Sequence, residues 1–518
     1  MKSRRSVAVA STVAALVAAM VPGLSSPAAV AETRPEAGPA VTDGCISSVP
    51  EPGTSEKVEI CYTLFRPADA SRTHRVPMVM HSHGWAGSRT TDAAAFRKWL
   101  DAGFGVLSFD QRGFGESGGK AHVEHPALEG RDVQGLIRLI AGLPWVRKDA
   151  PGDPRIGAIG GSYGGGYQYV GAFRNVMDKG KPVFDALAPE ITWWDLNESL
   201  APQEVVRTAW AVALSAAGSE ALPPEVLVAL AQGAATGFWP RGEVPGSADM
   251  VEFFRKNGPS WHVRNGRRLD IPVLMGQGAT DSLFPLDQGL TNFRRALTRD
   301  ARRQSIFVGY NGGHVLPAVF PQGVGVAGDP CSKKLGGASF EDLALRFFTE
   351  NLEGRDTGLR GHGRYHLATA GAGCTTVRST RADQSFEVGT VASTTAAGAP
   401  VAVRIADGPI RVAGTPYLSG MMTAAGVNNR AFYGLAVGTS PADARLVQNN
   451  VLPVFELEPV LGEERRIELP SVAVDVPEGE SLFVMATPVS DVFVGMGSRT
   501  PGLILLEDAT VHLPVVEE

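Results

Sequence analysis

The chain has 518 residues, more than one ordinary core organises, so two or three domains are expected. Hydrophobic residues make up 44% and charged residues 20%, the balance of a folded globular protein rather than a disordered one. A net charge of −6 removes any electrostatic case for nucleic acid or an anionic membrane as partner.

Lys2, Arg4 and Arg5 precede an uninterrupted apolar and small-residue run over 7–21, and Ala29-Val30-Ala31 has the A-x-A form of a processing site. Residues 1–31 therefore read as a signal peptide, with Glu32 first in the mature chain and a secreted, extracellular destination. No later stretch is long and apolar enough to span a bilayer, so no integral membrane segment is expected in the mature chain. Residues 32–57, which begin rich in Pro, Ala and Glu, read as a flexible lead-in. In an oxidising compartment, four cysteines suggest two disulfides. Three pairings are open to them, and the local one, Cys45 with Cys61 and Cys331 with Cys374, is the expectation.

From residue 58 onward, apolar strand-like runs alternate with helical spacing. Strands are expected over 58–65, 76–81, 105–109, 184–191, 271–276 and 305–308, and helices over 94–100, 127–143, 287–297 and 340–352. This alternation implies a mostly parallel sheet covered on both faces. The interval 195–265 breaks it. That interval is rich in Ala and Leu, has helical patches at 209–217 and 224–235, and reads as an inserted helical cap. Past residue 364 helical periodicity disappears. Short β-type runs at 401–405, 432–437 and 481–486, separated by Gly, Pro, Asn and Asp, suggest an antiparallel sandwich or jelly roll over 364–518.

The most informative stretch lies between two such elements. Ile156, Ala158 and Ile159 read as a short buried strand, Gly160-Gly161-Ser162-Tyr163-Gly164 follows, and 166–176 reads as a helix. G-x-S-x-G between strand and helix lifts a serine onto a sharp turn, with glycines two before and two after so that strand and helix pack without a clashing Cβ. A serine hydroxyl is a poor nucleophile unless an imidazole takes its proton, and that imidazole needs a carboxylate to hold its tautomer. Asp281 follows a buried strand, with Asp287 as a nearby rival, and His314 lies in a Gly-Gly-His loop after the next. His262, His362, His366 and His512 lack this context. Ser162, Asp281 and His314 are thus the candidate catalytic residues. The N–H of Tyr163, with that of Trp85 in the His83-Gly84-Trp85 turn, would form the oxyanion hole. His83, Trp193, Trp194 and Glu190 are the candidate pocket residues. His81 and His83 have no evident third partner for a metal, and Asp110-Gln111-Arg112-Gly113-Phe114-Gly115 lacks the lysine of a phosphate loop, so it reads as a structural turn. No cofactor and no metal are implied.

Together these motifs resemble the α/β-hydrolase core. Gly-x-Ser-Tyr-Gly-Gly, a helical insertion and a C-terminal β-domain are similar to the X-Pro dipeptidyl-peptidase (S15) and cocaine-esterase-like group. The resemblance implies an α/β-hydrolase core at 58–363 with a helical cap, a C-terminal all-β jelly-roll-like domain, and Ser162, Asp281 and His314 as triad. Several members place a tyrosine donor in the loop after the third core strand, where this chain has Trp85, whose indole N–H is a differently shaped donor. A free α-ammonium on an X-Pro peptide would need a carboxylate such as Glu190 or Glu198. The expected function is a secreted serine hydrolase acting on a small-molecule ester or short-peptide amide. The competing readings are a carbohydrate- or wall-binding protein with a degenerate core, and a lipase or polyester hydrolase.

Overall fold

The computed structural model describes residues 39–316, 320–324, 328–394, 398–498 and 500–517. The expected signal peptide and its processing site lie outside them. Strands β1 (Ala40–Ser47), β2 (Glu59–Arg66), β3 (Met78–Ser82), β4 (Gly105–Phe109), β5 (Ile156–Gly161), β6 (Ala186–Glu190), β7 (Leu274–Gly278), β8 (Ile306–Tyr310), β9 (Tyr365–Ala368) and β10 (Cys374–Val377) form one sheet. Their spatial order is β1-β2-β4-β3-β5-β6-β7-β8-β9-β10. Neighbours from β4 through β9 are parallel, whereas β1 on β2, β2 on β4 and β9 on β10 are antiparallel.

Successive side chains of a strand point to opposite faces, and in this sheet both faces are dry. Met78 and Met80 join one apolar cluster with Leu136 and Ile140 of helix Glu129–Gly142 and Phe173 of helix Tyr163–Lys179. Val79 joins another with Trp99 of helix Arg97–Asp101 and Phe347 and Phe348 of helix Phe340–Leu352. Central strands buried on both sides read as continuous apolar runs, which is why they are legible in the sequence.

Two expected boundaries move. Part of the supposed flexible lead-in, Ala40–Ser47, is strand β1, with Cys45 directly opposite Cys61 and joined to it by a disulfide. Ladder hydrogen bonds and a cross-strand disulfide give this segment partners that its composition does not reveal. At the other end β9 and β10 carry the sheet to Val377, beyond the expected end of the core at 363. The disulfide Cys331–Cys374 ties β10 to helix Pro330–Lys334.

Between β6 and β7 the chain forms the cap from helices Leu196–Leu200, Thr208–Ala217, Pro224–Thr236, Met250–Phe254 and Pro259–Arg264. Its apolar residues Leu196, Leu200, Leu222, Val226 and Phe254 share a cluster with Tyr163, Trp193, Leu283 and Phe284 at the strand ends. After β10 two antiparallel sheets stack. One orders Gln384–Thr394, Leu503–Leu513, Tyr417–Ala425 and Val460–Glu468. The other orders Val401–Asp407, Ser481–Thr487, Asn429–Gly438 and Arg445–Leu446, with Leu452–Glu456 also on Asn429–Gly438. Leu418, Leu435, Val484, Leu506 and Val511 fill the space between them. Among the described residues no helix is long and apolar enough to cross a membrane.

Two predictions follow from this architecture. The disulfides span sequence separations of 16 and 43 residues. Loop-closure entropy then assigns them about 3 and about 4 kcal/mol respectively. Replacing Cys331 and Cys374 by alanine is expected to lower the calorimetric melting temperature more than replacing Cys45 and Cys61. Separately, burial pushes the Asp185 carboxyl, whose Oδ2 accepts the Ile156 N–H at 2.8 Å, from 3.8 up to about 7. A carboxyl raised in the folded state favours folding while protonated and loses that contribution as pH climbs from about 4 to about 7. Asp185→Asn keeps an acceptor for Ile156 but cannot ionise. Its stability relative to wild type should therefore rise across that window in urea titrations, and a constant difference would contradict the assignment.

Candidate active site

The site is built on the turn from β5 into helix Tyr163–Lys179. Ser162 is held at φ 56° and ψ −120°, a conformation side chains rarely adopt. Two glycines make it feasible. A Cβ at Gly160, whose φ is +141°, would stand 2.6 Å from Gly164 O and 2.8 Å from Ser82 O, and a Cβ at Gly164 would also drive into Ser82 O. The Ser162 N–H donates to Glu190 O at 2.9 Å, pinning the turn to β6. Tyr163 is the first helical residue, so no carbonyl a turn earlier in the helix accepts its N–H.

Asp281 follows β7 and is fully buried. Its Oδ1 accepts the N–H groups of Leu283 at 2.9 Å and Phe284 at 2.7 Å, and its Oδ2 lies 2.7 Å from His314 Nδ1. His314 Nε2 lies 2.8 Å from Ser162 Oγ. A carboxylate can only accept, so the imidazole proton sits on Nδ1 and Nε2 is left to accept from the serine hydroxyl. Gly313, at φ +100°, admits the approach, since a Cβ there would lie 2.7 Å from the Asp281 carboxyl. Phe284 meets the His314 ring edge to face at 5.2 Å, and Trp210 of the cap does so at 6.0 Å. The rival Asp287 does not reach the imidazole. It is half-buried in helix Leu286–Arg295, where desolvation raises its carboxyl above the ordinary value.

The His83-Gly84-Trp85 turn abuts the serine: a Cβ at Gly84 would be 3.8 Å from Ser162 Cβ. The indole of Trp85 does not offer its N–H to a substrate, because Nε1 donates to Leu214 O of the cap at 2.9 Å. The ring packs edge-on against Tyr163 at 5.0 Å and Phe114 at 4.9 Å.

Ser162 opens on a cavity of about 60 Å3 lined by Trp85, Val123, Tyr163 and Trp193 together with the cap residues Leu196, Leu200, Leu214 and Leu222 and with Phe284. Of the expected pocket residues, Trp193 belongs to it and three others do not. His83 is buried beneath the turn, donating from Nδ1 to Gly84 O at 2.8 Å and accepting the Gln111 N–H on Nε2 at 3.1 Å. Glu190 accepts the Tyr310 hydroxyl at 2.6 Å, and burial raises its carboxyl above the ordinary value. Trp194 turns away from Trp193, into the main core and a separate cleft that also holds Glu198. The adjacent tryptophans therefore face different spaces, Trp193 the cavity at Ser162 and Trp194 the main core.

The sequence reading missed the parts the cap contributes. Arg207, fully buried, donates to Ser282 O at 2.9 Å, and Trp210 Nε1 donates to Ser282 Oγ at 3.1 Å, so the cap grips the residue next to Asp281. Burial lowers the Arg207 guanidinium to about 10. Its only sequence signal was an arginine amid apolar residues. The Asp110 and Arg112 turn is structural, with Arg112 donating to Asp132 at 2.7 and 2.9 Å.

A parallel-centred sheet with a cap over its strand ends, and a serine, histidine and aspartate in hydrogen-bond series there, defines the α/β-hydrolase class. Residues 56–315, half of the chain, match the profile of the X-Pro dipeptidyl-peptidase (S15 family), and the chain belongs to that family. Among solved structures, a CocE/NonD family hydrolase from Staphylococcus aureus is similar at TM-score 0.58 and 12% identity, over 92% of this chain and 97% of its own. An aminopeptidase from a marine sediment Thaumarchaeota archaeon is similar at TM-score 0.65 and 13% identity, over 96% and 99%. An α-amino acid ester hydrolase is similar at TM-score 0.60 and 12% identity, over 96% and 100%. At such identities the likeness is one of fold. An uncharacterised 31.7 kDa protein of Escherichia coli is 33% identical over 110 residues, 21% of this chain and 36% of that protein, so the chain spans about a third of the length of the curated relatives it matches.

Gly164→Ala tests the turn. With a backbone oxygen in the way, the added methyl group cannot be absorbed by a flexible neighbour, and a cost of about 3 kcal/mol is expected. Urea unfolding should show the loss, and an unchanged midpoint would mean that helix and strand are not so closely packed.

Proposed function

We propose that this protein is a secreted serine hydrolase that cleaves esters of apolar carboxylic acids through an acyl-enzyme on Ser162. The observation that carries the reading is the unbroken series from Asp281 through His314 to Ser162, at 2.7 and 2.8 Å, opening on a cavity with no Asp or Glu among its lining residues. In the first half-reaction Ser162 Oγ attacks the ester carbonyl carbon as its proton passes to His314 Nε2. The carbonyl oxygen becomes an oxyanion held by the backbone N–H groups of Tyr163 and Trp85. The C–O bond to the leaving alcohol then breaks as the imidazolium returns the proton to that oxygen. In the second half-reaction His314 takes a proton from water, the hydroxide attacks the acyl carbon, and Ser162 Oγ leaves with its proton restored. Asp281 holds the imidazole in the required tautomer and offsets the imidazolium charge throughout.

Family membership keeps X-Pro peptide amides as the second reading, but recognition of a free α-ammonium is poorly supported. A buried ammonium without a partner is strongly disfavoured. Glu190 is engaged by Tyr310, and Glu198 lines a different cleft. Two disulfides and the basic, apolar and A-x-A sequence of residues 1–31 support export.

The test compares kcat/KM on a p-nitrophenyl butyrate ester and an X-Pro-p-nitroanilide, for wild type and Ser162→Ala. The ester is expected to be turned over far faster than the amide, and the variant to lose at least about four orders of magnitude. Residual activity near wild type in Ser162→Ala would remove the serine mechanism, and faster turnover of the amide would move the assignment to peptides.

A further inference from the structure

The chain as a whole is acidic, with a net charge of −6. One cleft apart from the acyl cavity is nevertheless strongly basic. It encloses about 840 Å3 and shares no lining residue with the cavity at Ser162. Arg294 and Arg295 reach it from the last turn of helix Leu286–Arg295, and Arg302 from the last turn of helix Arg299–Arg303. Arg364 comes from the residue before β9, and Arg378 and Arg381 from the segment that leaves β10 for the C-terminal domain. Cations complement the carbonyl end of a helix. That accounts for basic residues at two helix termini, but not for their convergence with three arginines from elsewhere.

These charges are not consumed inside the protein. Among the described residues none of the six forms a salt bridge with a carboxylate. Arg294 is instead steered by the hydroxyls of Thr380, Thr291 and Thr415, at 3.3, 3.4 and 3.5 Å. Burial lowers the Arg294 guanidinium below its ordinary value, with Tyr365 and Asp287 acting against it and Arg381 and Arg295 adding to it. Three carboxylates line the same cleft, fewer than its arginines: Glu468 is paired with Arg466 at 2.8 Å, Asp287 favours the charged form of Arg294, and burial pushes Glu198 up to about 7. Like charges gathered in excess of their counter-charges repel one another, and a polyvalent anion relieves that repulsion. A guanidinium fork matches the oxygens of a tetrahedral oxyanion, and Ser379, Thr380 and Thr415 add neutral donors to the same wall. Six forks spread around a space of this size are more than one anionic group can engage.

We propose that this cleft binds a ligand bearing several phosphate groups, an oligophosphate or phosphate-ester chain, at a site separate from the ester-cleaving centre. The inference does not depend on the chemistry assigned to Ser162.

Isothermal titration of the full chain with inorganic tripolyphosphate tests it, with citrate as a carboxylate control of similar charge. Wild type is expected to bind tripolyphosphate more tightly than citrate, with affinity falling as salt rises because counterions are displaced. Arg295, Arg378 and Arg381 are exposed, so their triple replacement by alanine should leave the melting temperature and ester turnover intact. That variant should weaken tripolyphosphate binding by about thirtyfold. No binding by wild type, equal binding by the variant, or equal affinity for citrate would each overturn the proposal.

Discussion

The carbonyl oxygen of Ser82 occupies the space that a side chain at Gly160 or Gly164 would need, and the site depends on that contact. It brings the end of β3 against the turn out of β5, and so sets the His83-Gly84-Trp85 turn beside Ser162. The strained backbone of Ser162 persists because its neighbours over-determine it: β6 accepts its N–H, its own carbonyl accepts from Gly165 and Gly166, and the glycines exclude nothing. A strained residue held from three sides presents its hydroxyl in one direction, which is what hydrogen-bond series of this length require.

The cap completes what the sheet begins. The strand ends supply the polar groups, and the cap supplies the apolar wall and much of the support. Trp85 is fastened to Leu214, the Ser282 carbonyl to Arg207 and the Ser282 hydroxyl to Trp210, so the cap and the loops that carry Trp85 and Asp281 form one packed unit. The same packing sets the character of the space above Ser162, where leucines and aromatic rings line the cavity and no Asp or Glu is among its lining residues.

The junction between the two domains is more than a tether. Asn450 of the C-terminal domain donates to the Asp281 carbonyl at 3.1 Å, and Gln448 donates to Ala368 O at 2.9 Å and accepts from the Ala473 N–H at 2.9 Å. Buried hydrogen bonds of this kind fix an orientation, because an unmatched partner would be left dry. The same junction gathers arginines from four stretches of chain around one cleft, where the fold tolerates their repulsion.

Much of this was legible in the sequence because it rests on local rules. Apolar runs bounded by glycine mark strands that are buried on both faces, and the spacing of glycines around Ser162 marks a turn that only such residues allow. Asp281 and His314 stood out because each follows a strand at the same edge of a parallel sheet, where topology gathers loops. What tertiary structure alone decided concerns which way side chains turn and what distant chain they meet. Nothing in Trp193-Trp194 tells which ring enters the cavity, since that depends on which distant residues each ring packs against. Glu190 carries the charge that an ammonium site needs, yet Tyr310 from a neighbouring strand claims it. Residues 40–47 read as a mobile leader until a sheet edge and a disulfide gave them partners, and β9 and β10 read as part of the next domain because pairing partners are not written in composition. Local periodicity determines elements and turns, whereas contacts between residues far apart in the chain depend on packing, and the pocket, the sheet edges and the basic cleft are made of such contacts.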